Sequence, residues 1–368
     1  MKKKLSPFEE KLNTWVANHF SRIPFVQKIF FVEHLRTMIH AGISVVEALD
    51  ILQKESENRK MNGIIAHVKL EVEQGKQLSE VLLAYPDLFP AVYIKMVAAG
   101  EISGKLEESL LQIETQMKKT RELTSSIRGA MVYPTVVIAA MFVVGILMVT
   151  VVLPKLLVLF KEFDTELPLA TRILIAITDF MSNPINLTIM GVAFVLCVIG
   201  YIIGLKKSHS FRQGVHWVLL HLPIVGGVIR EINVARFSLT LSSLLNSAIP
   251  IIDAIDITAD TCGNIHYKEA LHNTTEKIKT GVALSDTLRE YPFLFPPIVT
   301  EMIMVGERSG DVGNLLTELS HFYGDQVDKT MKNFSTIIEP VIILMLGVAV
   351  GGLAVAVIMP MYTLVQTF

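Results

Sequence analysis

This chain repeats itself at one fixed offset, and each copy ends in a long run without a charged residue. A shift of 206 positions lays Ala98-Ala99-Gly100-Glu101-Ile102-Ser103-Gly104 on Met304-Val305-Gly306-Glu307-Arg308-Ser309-Gly310. The same shift pairs Tyr85-Pro86-Asp87-Leu88-Phe89-Pro90 with Tyr291-Pro292-Phe293-Leu294-Phe295-Pro296, and Phe31, Gly75, Pro134 and Pro154 with Phe237, Gly281, Pro340 and Pro360. About 30 identities fall between residues 31–160 and 237–366, gathered at glycine, proline and aromatic positions that fix turns and close backbone approach. The period is far too long for a solenoid. A duplicated domain is the expectation, each copy carrying its own apolar segment.

Within residues 29–128 the apolar spacing predicts a helical bundle. Phe31, Leu35, Met38 and Ile39 form one stripe that stops at Ala41-Gly42, and Ser44 is placed to cap the next helix with Glu47 in the capping-box position. Ile64–Val72 reads as a third helix ending at Gly75, and Ser79 as the cap of a short fourth that Tyr85-Pro86 breaks. Ala91–Ala99 follows Pro90, and from Ser103 a long helix starts with Leu106, Leu110, Leu111 and Ile113 inward. No alternating β-rich run occurs, so an all-α fold is predicted. Residues 1–28 read as an N-terminal amphipathic segment, with Phe8, Leu12, Trp15, Val16 and Phe20 at helical spacing.

Three stretches are apolar enough to cross a bilayer. Residues 129–154 carry no charge over about 39 Å of helix, and 180–205 and 336–360 are similar beyond their first few positions. With 18% charged residues and a mean hydropathy of +0.49, the chain is too apolar for an ordinary soluble protein. Of its 33 Lys and Arg, 18 lie in residues 1–128 and 12 in 205–335, against three in the loop 155–179 and none after 332. The positive-inside rule therefore puts both large regions in the cytoplasm. The repeat asks for the same result. Two copies crossing in one direction need one extra span between them, and 180–205 has no counterpart in the duplication. The expected order is bundle 29–128, span 129–154, short extracytoplasmic loop 155–179, span 180–205, linker helix 206–234, bundle 235–335, span 336–360 and extracytoplasmic tail 361–368.

Little in the chain could carry covalent chemistry. Gly75-Lys76 is followed by Gln77 and Gly104-Lys105 by Leu106, so no phosphate-binding P-loop is present. The 10 histidines make no H-E-x-x-H, and no calcium loop or G-x-S-x-G occurs. Cys197 and Cys262 cannot build a disulfide framework or a Cys-rich zinc site, and the net charge of −2 does not suit nucleic acid. No enzyme, cofactor or metal is expected. The Gly-Glu-x-Ser-Gly segments read as helix joints: Gly100 ends a helix, Ser103 caps the next, and Gly104 permits close packing. Glu101 and Glu307 are free either to bond exposed N–H groups of the following helix or to meet a partner, with Ser103, Gly104, Ser309 and Gly310 beside them. In the third apolar run, Glu339 stands at the inner edge, and Gly347 and Gly351 form a G-x-x-x-G that suits helix packing, within the chain or between copies. A small transporter or channel on a parallel repeat, or a receptor with an enzymatic domain, are competing classes. Both want polar residues inside the spans or a catalytic set, and neither is found.

In this order and duplication the motifs resemble the type II secretion system F domain of the GspF and PilC inner-membrane platform proteins. The phrases that carry the likeness are Ala41-Gly42-Ile43 with Ser247-Ala248-Ile249-Pro250, the two Gly-Glu-x-Ser-Gly turns, Val132-Tyr133-Pro134, and Glu166-Leu167-Pro168-Leu169-Ala170-Thr171-Arg172. Leu222-Pro223-Ile224-Val225-Gly226 and Glu339-Pro340 complete them. Ala248 departs from the glycine usual in that family, which predicts an altered helix end, and the region before the first copy is short. The resemblance implies a non-enzymatic platform whose bundles dock a cytoplasmic assembly ATPase and whose spans meet pilin or pseudopilin subunits. It also implies other inner-membrane assembly proteins, membrane lipid and further copies of itself as partners.

Overall fold

The computed structural model describes residues 23–86, 88–154, 172, 176, 178–181 and 183–367. Most of the expected amphipathic segment 1–28, and most of the loop 155–179 with its Glu166–Arg172 phrase, lie outside the described residues. Among the described residues the chain is helical, without a strand.

The first copy begins with α1 (Phe25–His40), α2 (Val45–Glu55), α3 (Arg59–Glu73), α4 (Leu78–Leu82) and α5 (Ala91–Ser103), and α6 (Leu106–Leu147) follows. Between the copies lie α7 (Pro184–Lys207) and α8 (His209–His221). The second copy is α9 (Val225–Asn246), α10 (Ile251–Thr261), α11 (Ile265–Lys279), α12 (Leu284–Arg289), α13 (Pro297–Ser309) and α14 (Val312–Thr367). From α2 to the start of α6, every helix of copy one begins 206 positions before its counterpart. The chain forms two compact units, one of residues through Thr124 with Leu219–Val327, the other of Ser125–Val218 with Asp328 onward. Both bundles therefore belong to the first unit.

Each bundle is built by caps and a narrow core. Ser44 accepts the Glu47 N–H at 3.3 Å, and Asn58 accepts those of Lys60 and Met61 at 3.0 and 3.1 Å. Gly42 and Gly75 leave their helices at φ 83° and 91°, the left-handed turn that glycine allows without a Cβ clash. The duplicated aromatics meet in both cores. Phe31 packs on Phe89 with ring centroids 5.6 Å apart, and Phe237 on Phe295 at 5.2 Å. Tyr267 joins the second pair and donates its hydroxyl to Leu294 O at 2.6 Å, which satisfies a phenol that burial pushes well above its ordinary pKa. Leu110 and Ile113 are buried as expected, but Leu111 is exposed, because its position lies about 100° round the helix from the stripe those two share with Met117.

The second unit holds α7 and the apolar parts of α6 and α14. Three helices of the described chain are long and apolar enough to cross a membrane: Leu106–Val151, Pro184–Lys207 and Val312–Gly352. Asn183 caps α7 by accepting the Ile185 N–H at 3.0 Å, with Pro184 in the first turn where its missing donor costs nothing. The first apolar run ends in a π-turn, Met148–Val152, in which Leu153 N donates to Met148 O. Pro154 follows; it has no N–H to continue an α-helical ladder.

Candidate functional site

At each Gly-Glu-x-Ser-Gly segment the glutamate reaches backward along the chain. Leu78 N donates to Glu101 Oε1 at 2.6 Å and Ser79 N donates to Oε2 at 3.0 Å. In the second copy Leu284 N donates to Glu307 Oε1 at 2.6 Å, and Ser285 N to Oε2 at 3.2 Å. The Ser285 hydroxyl also donates to Glu307 Oε2. Both glutamates therefore cap the short helices α4 and α12, 23 residues before them, where Gln77 and Ala283 stand at the N-cap without a side-chain bond. A carboxylate there satisfies two orphan amide donors and faces the positive end of the helix. This corrects two expectations. The glutamates do not bond the following helix, and Ser79 does not cap α4 but lies buried inside it. A five-residue helix that starts at a leucine has no local cap, so the cap comes from a tertiary neighbour.

The roles expected of the glycines are exchanged. Helix α5 runs through Gly100 to Ser103, and Gly104 takes the left-handed position at φ 71° that ends it. Gly310 does the same after α13 at φ 75°. Gly100 is instead the close-packing residue: a Cβ there would lie 2.5 Å from Ser109 Oγ and 2.7 Å from Ser109 Cβ. At Gly306 a Cβ would lie 2.9 Å from Val312 Cα. Ser103 caps nothing; its hydroxyl donates to Ala99 O at 2.7 Å, and that of Ser309 to Gly306 O at 3.3 Å. The joint folds the chain back with the glutamate half-buried and Ile102, Ser103 and Gly104 turned to the surface.

The phrase Leu222–Gly226 packs even more tightly, which its sequence does not disclose. A Cβ on Gly226 would sit 2.1 Å from Leu220 O, and Ile224 adopts φ 67°. Beside it Phe293 stacks on His221 with centroids 4.7 Å apart, and the Arg230 guanidinium lies 4.9 Å from the same ring. Ala248 departs from glycine yet keeps the turn, at φ 58° with Ile249 N donating to Leu244 O at 3.1 Å. The matching bond at Gly42 runs from Ile43 N to Met38 O at 3.0 Å. The helix end is therefore unaltered, and backbone strain replaces the expected change of shape.

In the third apolar run Glu339, Gly347 and Gly351 are all exposed, and, the adjoining backbone of their own helix aside, no described atom lies within 4 Å of a Cβ built on either glycine. Packing within the described chain does not use them. Cys197 is exposed and Cys262 is buried, both as free thiols. Burial pushes the Cys262 thiol up to about 12, against the pull of nearby Arg236. Among the described residues no three His, Cys, Asp or Glu side chains gather as metal ligands. The arrangement has fixed joints, filled cores and long helices.

A family model for the type II secretion system (T2SS), protein F matches the chain twice, over residues 31–154 and 237–360. The chain belongs to the type II secretion system protein F family. The two matches start at Phe31 and Phe237 and end at Pro154 and Pro360, so each takes in one bundle together with the apolar run that follows it. Among relatives, the type IV pilus assembly protein PilC of Thermus thermophilus is 35% identical over 338 residues, 92% of this chain and 82% of its own. The protein of the same name in Pseudomonas aeruginosa is 33% identical over 91% of this chain and 88% of its own. The type II secretion system protein F of Aeromonas hydrophila is 29% identical over 90% and 84%. This protein F family member is thus similar along nearly its whole length to components of both kinds of machine.

Proposed function

We propose that the protein is an inner-membrane platform of a type IV pilus or type II secretion machine. In this reading both bundles lie in the cytoplasm, the N-terminus is inside and the C-terminus outside. The bundles dock an assembly ATPase and pass its motion to pilin or pseudopilin subunits leaving the bilayer. The observation that carries the reading is continuity: the last helix of each bundle, α6 and α14, runs on into a charge-free apolar run. A load applied to such a helix does not have to cross a loop. The names of the relatives and the clustering of Lys and Arg support the machine and the orientation.

The test pairs binding with genetics. The full chain in lipid nanodiscs is expected to retain the purified assembly ATPase, and deletion of the gene is expected to abolish filaments or secretion. Scoring surface filaments, secretion and DNA uptake in one deletion strain assigns the machine. No ATPase binding, together with filaments and secretion intact without the protein, would overturn the reading.

A further inference from the structure

The two copies share one backbone but bury different faces of it. Val92 on α5 is 4% exposed, whereas its counterpart Ile298 on α13 is 45% exposed. Gln116 on α6 is 3% exposed, and its counterpart Phe322 on α14 is 52% exposed. The first helices show the reverse. Thr240 and Ser243 of α9 are buried, while their counterparts His34 and Thr37 of α1 are exposed.

One contact accounts for both differences. Helix α5 packs against α9 and α10, Gln116 Nε2 donates to Thr240 Oγ1 at 3.4 Å, and Lys119 Nζ lies 3.2 Å from His321 Nε2. Copy one thus gives its α5–α6 face, and copy two receives it on α9–α10, with His321 of α14 also in contact through Lys119. Such a contact is heterologous. It leaves over the giving face of copy two, on α13–α14, and the receiving face of copy one, on α1–α2.

The leftover faces match. On the receiving side a cavity of about 280 Å³ opens among Phe30, Phe31, His34, Leu52, Met61 and Ile65. Phe30 is 52% exposed at its rim and stacks on His34 with centroids 6.0 Å apart. Within the chain the seat is Thr240 and the inserted group is Gln116, a polar pair. At the leftover faces the same two positions are His34 and Phe322, an aromatic pair. Ile298 and Val305 extend the apolar surface on the giving side. Both members of the pair have changed character together, which suits contact with each other and not with water.

We propose that a second copy of this chain seats its α13–α14 face, led by Phe322, on the α1–α2 face of the first. The contact between chains would repeat the one that joins the two copies within a chain. The contact is head-to-tail, and chains that keep their spans in one bilayer are related by rotation about its normal, so an assembly that closes does so as a ring. The proposal rests on the repeat and stands apart from the platform reading.

The test uses the full chain in membranes, in a Cys197→Ser, Cys262→Ser background; serine at 262 is what copy one carries at Ser56. One tagged population carries His34→Cys and a second, with a different tag, carries Phe322→Cys. Oxidation is expected to give a product with both tags, and a chain carrying both substitutions is expected to give a ladder beyond the dimer. The exposed Leu70→Cys paired with Phe322→Cys is expected to stay unlinked. Phe322→Lys should reduce the detergent-extracted assembly to monomer with helix content and melting unchanged. The proposal is overturned by absence of the mixed product, by products joining only like cysteines, or by a Phe322→Lys assembly of unchanged mass. Protection of the Phe322→Cys thiol from maleimide only when another protein is present would also overturn it and give the face to that protein.

Discussion

Copy one ties its first helix to its last with charge, and copy two carries small or apolar residues at the same positions. In the first copy Arg36 Nε donates to Glu114 at 2.7 Å, while Lys118 reaches Glu114 at 2.7 Å and Glu33 at 3.1 Å, so α1 and α6 are held by an ion cluster. The same positions in copy two are Ser242, Ser320, Gly324 and Leu239, of which the two serines and the leucine are buried. Copy two is the receiving side of the contact between bundles, and a covered face cannot hold long charged chains without a desolvation cost. Copy one keeps α1 open, so Arg36, Lys118 and Glu33 stay partly exposed while they pair with the buried Glu114. The duplication has thus kept its joints and redesigned its faces.

The largest effects are expected at the joints that both copies share. Gly100→Ala and Gly306→Ala should each cost about 3 kcal/mol, because the added methyl meets atoms fixed to the next helix. Gly104→Ala and Gly310→Ala meet open space and suffer only from positive φ, so about 1 kcal/mol is expected for each. Thermal melts of the four variants check the order. Equal losses at Gly100 and Gly104 would remove the distinction between close packing and turn.

Next come the glutamates. Glu101→Ala should cost about 2 kcal/mol, since two amides of α4 lose their acceptor. Glu307→Ala should cost about 0.5–1 kcal/mol more, because the Ser285 hydroxyl loses its partner as well. Ser285→Ala should narrow that gap in denaturant titrations. If both glutamates instead serve an ATPase directly, charge reversal will abolish binding with the melting temperature unchanged.

A smaller effect separates the two helix ends. Ala248→Gly should stabilise by about 1 kcal/mol and Gly42→Ala should destabilise by a similar amount, as both turns need φ near 60–80°. The smallest is a pH effect confined to copy one. Hydrogen bonds from Lys54 and Lys69 hold the Asp50 carboxyl at about 2. A depressed carboxylate stabilises the fold above its unfolded value of 3.8 and loses that contribution as pH falls towards about 2. The melting difference between wild type and Asp50→Asn should therefore be constant at neutral pH and close below about pH 4. Its counterpart Asp256 faces His272 at 2.8 Å instead of two lysines.

Much of this architecture could be read from residue order alone, because it depends on local rules. Helix ends at Gly42 and Gly75, the Ser44 cap and the three apolar runs each announce themselves within a few positions. What could not be read depends on partners far along the chain. Glu101 bonds amides 22 and 23 residues earlier, and Gln116 meets Thr240 across 124 positions. The Gly100 and Gly104 roles were exchanged for the same reason. A left-handed turn is a property of one residue, whereas crowding at Gly100 is set by Ser109 on the next helix. Residue spacing also placed Leu111 inward, where the helix turns it out.

In the proposed topology two copies of one module, each with its own apolar run, face the same side of the membrane. Single cysteines at Lys76 and Val282, beside the matching turns of the two copies, test it most directly, with Cys197 replaced and a third site at the C-terminal Phe368. In sealed right-side-out vesicles a membrane-impermeant maleimide is expected to label position 368 and to spare 76 and 282 until the vesicles are opened. Labelling of 76 and 282 from opposite sides would contradict it.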